Sequence, residues 1–410
     1  MDTGQGWIAN VAILNKILAK ESWYNTFFAK FSGNVDISQD ENGNNVYNPS
    51  GRPIEMLTDY VAQGRDNMLI PFLKELNGDP VYGDTVLKGT GEDQVMNWLR
   101  CYVNQTRKAV MKRSGQMSEQ RQRIYRLYDA ARPQLSRWYT KFENQSIWAT
   151  FYEGVSPSLS AGTTDDGLGL VKRYHPNWYV SDGGVLTAVG TEKSTKTAAQ
   201  LDTADTAADT AMTAAILRSF RTKLMELRIP TMTTKDGHKF WCMVIHPAQW
   251  EALQGDTVFQ NAQREAYSGR ALDNPELTGA VAYYSGFAIY EDIVGIRGWD
   301  SGNDDLGFNN VSSMFSPTDV TDNYNAIVFG NSAVGKGIAD GLHFTSEIDD
   351  HENTIEIGAA AINGYNRNDY FIETDSAETT GDAFYKDNVS PAVSAELPAI
   401  NQSSAVLMTT

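Results

Sequence analysis

One stretch limits what this chain can fold into more than any other. Residues 118–153 keep a helical apolar rhythm without a break: Ile124, Tyr128, Ala131, Leu135, Trp138 and Phe142 recur at steps of four and three, so one helix carries them on one face. Ser118 stands at an N-cap position with Glu119 in the first turn, and Gly154 followed by Pro157 marks a stop. At ~1.5 Å per residue the rod would be roughly 54 Å long. That is about twice an ordinary globular helix, and it suits a strut better than the wall of a small active site. Pro133 sits mid-way, which predicts a kink or two coaxial helices.

The same region is basic. From Arg100 to Lys141 there are 11 Lys and Arg against 2 acids, a local +9 within a net charge of −17, so the remainder of the chain carries −26. A solvated face with ion pairs between subunits is one reading; a strip facing a polyanion is the other, with Arg121, Arg123 and Arg126 as its candidate residues. No base-reading motif accompanies the charge, so contact with nucleic acid would be to phosphate and not to sequence.

The 410 residues are enough for two or three units with a sizeable core, and 41% hydrophobic with 21% charged residues is an ordinary globular mix. Nine Trp and 19 Tyr suit large buried surfaces or interfaces. No run approaches the ~18 apolar residues of a membrane span, and Asp2 without a basic region gives no sign of a signal peptide. Cys101 and Cys242 lie singly in apolar strand-like runs and read as buried, reduced thiols.

Along the chain, the first ~30 residues pattern as an amphipathic helix, with Trp7, Val11, Leu14 and Leu18 on one face and Trp23, Phe27 and Phe28 extending it; uncovered, it suggests an arm packing on another subunit. Residues 67–76 and 96–110 read as two strands of a hairpin with a long, glycine-punctuated tip, which needs a partner surface. Residues 155–200 read as irregular, and 197–215 are low in complexity, with 13 of 19 positions Ala or Thr. An apolar helix follows over 212–227 and ends before Pro230. Strands are predicted at 240–245, 287–290 and 326–329, with a helix opened by His246-Pro247 and a hairpin pairing 344–348 with 354–357. Residues after Glu373 are Ser/Thr/Ala-rich and weakly patterned, a contact arm or disordered. The class is α+β.

Signals for chemistry are weak. Residues 330–336, GNSAVGK, have the spacing of a phosphate-binding loop after a strand, but the Ser or Thr needed after Lys336 is Gly337, and Gly341 weakens any following helix. Asp349, Asp350, His351 and Glu352 could meet a hard cation only if they converged, and adjacent hairpin residues point to opposite faces. His246 reads as a helix-entry residue, and His175, His238 and His343 stand apart from any nucleophile. No cofactor, metal or catalytic residue is expected.

Three stretches carry a resemblance. They are Leu76-Asn77-Gly78-Asp79-Pro80-Val81-Tyr82-Gly83-Asp84 leading to Gly91-Glu92 and Asn104-Gln105-x-Arg107; Val244-Ile245-His246-Pro247-x-Gln249 with Leu253; and Asn274-Pro275-x-Leu277-Thr278-Gly279-Ala280. In this order around a long helix the chain resembles the major capsid proteins of tailed phages, closest to the N-four-like podovirus family, which adopt the Hong Kong 97 capsid fold. The resemblance implies an N-terminal arm (1–60), an extended loop hairpin (64–114) and a peripheral domain (115–229 and 340–375) with 118–153 as its spine. It further implies an axial domain (230–339) and a C-terminal tail (376–410). It implies an icosahedral shell of pentamers and hexamers, with portal and scaffolding or decoration partners, non-specific contact with packaged double-stranded DNA, and no membrane. The product would sit in the virion after assembly in the host cytoplasm. Tyr82, Lys88 and Glu92 are the candidate loop contacts between subunits. Some members of the wider fold join a Lys to an Asn covalently; Lys88 with Asn363, Asn366 or Asn368 would be the groups. An encapsulin-type compartment shell of the same fold, or a nucleotide hydrolase using 330–336, are the alternatives.

Overall fold

The computed structural model describes residues 26–39, 45–48, 50–58, 67–73, 81–83, 96–111, 127–154, 174–192, 196–233, 237–267, 280–292, 323–349, 354–371, 399–401 and 403–410. The strand Lys239–Ile245 is apolar at odd and even positions from Phe240 onward, so it demands cover on both faces. It lies inside an eight-stranded sheet ordered Ala282–Tyr284, Phe287–Glu291, Lys239–Ile245, Tyr324–Phe329, Ser404–Thr409, Trp178–Asp182 and Val185–Ala188, with Met232–Thr233 pairing Lys239–Ile245 off this path. Five helices are described: α1 (Leu127–Glu153), α2 (Ala198–Ala207), α3 (Ala214–Glu226), α4 (Pro247–Gly255) and α5 (Thr257–Tyr267).

Alternation along the central strands sorts the core into two layers. Phe240, Cys242, Val244, Phe329, Val406 and Met408 pack with Phe28, Phe31, Leu201 of α2 and the end of α1. Trp241, Met243, Ile245, Val328 and Leu407 pack with Leu217, Phe220 and Leu224 of α3, Leu253 of α4 and Phe259 of α5. The sheet is thus sandwiched between helices.

A second, five-stranded sheet is ordered Ser32–Asn34, Ile54–Leu57, Val334–Asp349, Thr354–Arg367 and Asn104–Met111. The two long strands pair antiparallel from Val334↔Arg367 to Asp349↔Thr354, with register shifts around Asp340. This ladder is the predicted 344–357 hairpin continued from its open end as far as Val334 and Arg367. At ~3.3 Å per residue the 16-residue strand is roughly 50 Å long.

The long helix joins the two sheets. Its middle, Leu135 and Tyr139 with Trp138 and Phe142, packs on Leu342, Phe344, Ile357 and Ala359 of the long hairpin. Its end, Ile147, Trp148, Phe151 and Tyr152, enters the core of the eight-stranded sheet. Hence the amphipathic pattern does not hold to the end: positions 145–153 are buried on every side. One helix runs through Pro133, whose exposed ring faces away from the core, so two coaxial helices are not formed. Gly154 adopts φ +83 and its N–H bonds the Thr150 carbonyl at 2.9 Å, the left-handed stop expected of a glycine there. Residues 118–126, with the proposed N-cap, lie outside the described residues.

Three expectations are corrected. Residues 155–200 are not irregular throughout. Trp178–Asp182 and Val185–Ala188 form a hairpin across Gly183 and Gly184, both at positive φ, whose N–H groups are held by Asp209 and Thr210. The Ala/Thr-rich stretch forms α2, opened by a capping box between Thr197 and Gln200. The largest correction concerns the C-terminal stretch: Ser404–Thr409 is a central strand of the eight-stranded sheet, buried at every position, where a tail was expected.

At the other end, Phe27–Phe31 is a 3-10 turn and no continuation of an α-helix, and Phe28 and Phe31 belong to the core of their own chain. Ile54 and Leu57 are buried as well, so parts of the stretch assigned to an arm are core. Residues 1–25 lie outside the described residues.

Candidate functional site

One described element is a hairpin whose ladder is only two strands wide. Asn67–Leu73 and Met96–Tyr102 pair antiparallel over their whole lengths, as predicted for the loop hairpin, and the chain then continues into Asn104–Met111 at the edge of the five-stranded sheet. Tyr82, toward the tip, is 79% exposed. The other two loop candidates, Lys88 and Glu92, lie outside the described residues, as do Arg121, Arg123 and Arg126.

The root of this loop is fastened by buried polar groups. Glu143 of α1 is the hub. Its Oε1 accepts from Lys336 Nζ at 3.0 Å, Tyr365 Oη at 3.1 Å and Asn363 Nδ2 at 3.5 Å. Asn363 Nδ2 also donates to Tyr139 Oη at 2.8 Å, and Tyr139 Oη lies 3.5 Å from Thr106 Oγ1 on the loop's edge strand. One carboxylate therefore ties the helix to both strands of the long hairpin and, through Tyr139, to the loop root. Burial lowers the Lys336 pKa against the opposing pull of Glu143. Burial, then the Glu143 charge, raises the Tyr365 and Tyr139 phenols well above their ordinary range, so both stay protonated donors. Asn366 adds a further tie: its Oδ1 accepts the Tyr102 backbone N–H at 3.1 Å.

A second joint closes the end of the helix. Arg367 Nη1 donates to the carbonyls of Phe151 (2.6 Å) and Tyr152 (3.1 Å), and its backbone N–H bonds the Gly154 carbonyl at 2.9 Å. Its Nε donates to Asp369 at 2.7 Å. The last carbonyls of a helix have no partner within it and carry the negative end of its dipole, so a buried guanidinium there satisfies both.

The phosphate-loop alternative fails on this geometry. The strand Tyr324–Phe329 ends at Gly330, a turn with Ser332 at φ +53 follows, and residue 334 already begins the next strand, with no helix to cradle a phosphate. Lys336 is spent on Glu143. Gly330 is required by space: a Cβ there would sit 1.9 Å from the Pro230 carbonyl oxygen. The turn is the crossover between the two sheets.

Asn363, Asn366 and Asn368 are each buried and bonded inside their own chain, Asn368 to the Ser332 carbonyl at 3.1 Å, so none is offered to a lysine of another copy. Residues 350–352 of the proposed cation turn lie outside the described residues. No group of three potential metal ligands occurs among the described residues.

His246 is the N-cap of α4, as read: its Nδ1 accepts the Ala248 N–H at 3.2 Å while Gln249 Oε1 accepts the His246 N–H at 3.1 Å. Gln249 does more than cap. Its Nε2 reaches the Tyr324 carbonyl (3.0 Å) and Thr409 Oγ1 (2.8 Å), tying α4 to two central strands. His175 is buried, with Nδ1 accepting the Asn177 N–H at 3.0 Å and Nε2 2.8 Å from Ser404 Oγ. A backbone N–H can only donate, so Nε2 carries the proton and cannot serve as a base toward Ser404. Cys242 is buried, and burial pushes its thiol up, as expected of a structural cysteine.

The sequence matches the family described as phage capsid protein over residues 15–384. Its fold is similar to the capsid of Ralstonia phage GP4, with 16% identity, 94% of this chain and 90% of that chain covered, and a TM-score of 0.59. It is similar to the acidic stable capsid of Helicobacter pylori bacteriophage KHP30, with 12% identity, 94% and 91% covered, and a TM-score of 0.58. A third similar structure is the cyanophage Pam1 capsid, with 16% identity, 93% and 91% covered, and a TM-score of 0.53. No relative was found among curated protein sequences.

Proposed function

The chain belongs to the phage capsid protein family, and on that premise we propose how its parts serve the head shell. It is a structural subunit of a phage head, with the Hong Kong 97-like fold. In this reading many copies close an icosahedral head around double-stranded DNA, in five-fold and six-fold groups. A portal and scaffolding or decoration proteins complete the head, and assembly proceeds in the host cytoplasm. The hairpin of Asn67–Leu73 and Met96–Tyr102 reaches onto a neighbouring copy, with Tyr82, Lys88 and Glu92 as contacts. Arg121, Arg123 and Arg126 face inward and lower repulsion from packaged DNA without reading its sequence. The subunit works by shape and needs no catalytic group.

The observation that carries this reading is the loop root. The burial of Glu143, Lys336, Tyr365 and Asn363 in one joint, with Arg367 in a second at the helix end, spends these polar groups on contacts inside the subunit. It fixes the direction of a hairpin whose own ladder is only two strands wide, and two-stranded ladders are stable only against a further surface. A second copy supplies that surface.

Negative-stain microscopy of the expressed protein tests the reading. Closed shells are expected, and a stable monomer at high concentration would sink it. Copurified cargo protein in place of DNA would favour the compartment shell of the same fold. Reversing the charge of Arg121, Arg123 and Arg126 should alter packaging or assembly; normal particle yield and DNA content in that variant would remove the inward strip.

A further inference from the structure

The described part of α1 and the edge strand Asn104–Met111 lie side by side. Lys108 Nζ stands 5.7 Å from the centre of the Trp138 ring, and Val110 packs in the same cluster as Trp138. Strand side chains alternate, so Thr106, Lys108 and Val110 share the face turned to α1. Around the helix, at about 100° per residue, Trp138 flanks the buried line of Leu135 and Tyr139. Gln134 and Lys141 come next, and Arg137 lies outermost. Lys108, Gln134, Arg137 and Lys141 are exposed and Trp138 is partly so. Positions 133–141 contain no acid, and Glu143 is turned inward onto Lys336. Among the described residues no carboxylate lies within ion-pair distance of Lys108 or Arg137.

We propose that Lys108, Arg137 and Lys141 form a binding surface for the phosphate backbone of duplex nucleic acid, with Trp138 as its partly buried floor. This rests on the head-shell reading and extends the basic strip to residues whose place in the fold is described. A protein partner would be recognised by apolar anchors ringed by polar groups. Here the exposed side chains are hydrogen-bond donors and cations beside the two stacked, half-buried rings of Trp138 and Phe142, the composition of a phosphate contact. The cations sit on two elements locked together by Tyr139 and Thr106, so their spacing is set by the fold.

The test uses the full chain with Lys108→Gln, Arg137→Gln and Lys141→Gln combined. Binding of a short random DNA duplex to the purified subunit is measured by fluorescence anisotropy across 50–200 mM salt, and particles are imaged. Each lost phosphate contact flattens the slope of log K against log salt by about 0.9, so the variant's slope should be shallower by about 2.7. The advantage of the wild type over the variant then shrinks about 40-fold across that fourfold salt range. Shells should form normally. An unchanged slope overturns the proposal, and an unchanged slope with lost shells assigns the surface to contact between copies. If the triple variant is insoluble, Arg137→Gln alone should flatten the slope by about 0.9. Failure of the wild type to make shells would count against the head-shell reading, not this surface, because the slope is read on the subunit.

Discussion

Replacing Lys336 with Met should destabilise the subunit by about 3–5 kcal/mol, because it leaves the Glu143 carboxylate buried without its counter-charge. The side chains of the pair are only 4% and 6% exposed, so little solvent screening relieves the loss. Tyr365 and Asn363 still donate to Glu143, which places the cost toward the lower end of that range. Glu143→Gln in the same background removes the orphaned charge and keeps an amide oxygen where Oε1 accepts those two donors. The double variant should therefore recover about 2–3 kcal/mol relative to Lys336→Met alone. If the subunit unfolds as one unit, an unfolding entropy of about 2.1 cal/mol/K per residue over 410 residues turns 4 kcal/mol into a drop of about 5 °C in Tm. Calorimetry and urea unfolding of the isolated subunit measure Lys336→Met, Glu143→Gln alone and the double variant. A Lys336→Met subunit as stable as the wild type, or a double variant less stable than either single one, would refute the hub.

Three further outcomes are expected. Val406→Asp or Leu407→Asp should each abolish soluble subunit on expression, since both side chains are fully buried on opposite faces of the central strand and an unpaired carboxylate there costs several kcal/mol. Gly330→Ala should cost at least ~2 kcal/mol in urea unfolding, because its Cβ would meet the Pro230 carbonyl, whereas Gly184→Ala, in open space at φ +78, should cost only about 1 kcal/mol. His175 is held well below its ordinary pKa, chiefly by burial and then by the charges of Arg367 and Lys196, so its contribution to stability is full above pH ~6.5 and is lost as pH falls toward the depressed value. His175→Gln should therefore flatten the fall in Tm between pH 7 and 5, and an unchanged slope would show that this ring does not titrate on unfolding.

What could be read from the sequence was local. The strand at Lys239–Ile245, the His246-Pro247 entry to α4 and the loop hairpin each declare themselves within a dozen residues, through an apolar run, a cap or an alternation. The hairpin over Gly183 and Gly184 also carries a local signal, paired glycines between alternating strands, but a faint one beside its low-complexity neighbour. The joints left no such trace. Glu143 and Lys336 are 193 positions apart and Arg367 is 216 from Phe151, so nothing near either partner announces the other. Ser404–Thr409 is illegible for a related reason. Its four apolar residues are too few to separate a core strand from a tail without the strands that flank it.

That central strand also dictates a timetable. Val406 pairs with Ile327 on one side and Trp178 on the other, so closing the sheet joins segments about 80 and 230 positions distant. Until it docks, Tyr324–Phe329 and Trp178–Asp182 expose apolar edges able to pair with any other chain. Contacts of such long range form slowly. A subunit destined for a crowded shell thus passes through an interval in which the wrong kind of association competes with folding. The cell's means of shortening that interval, by cooler growth or chaperone supply, should set the yield of particles as much as the strength of the finished interfaces does.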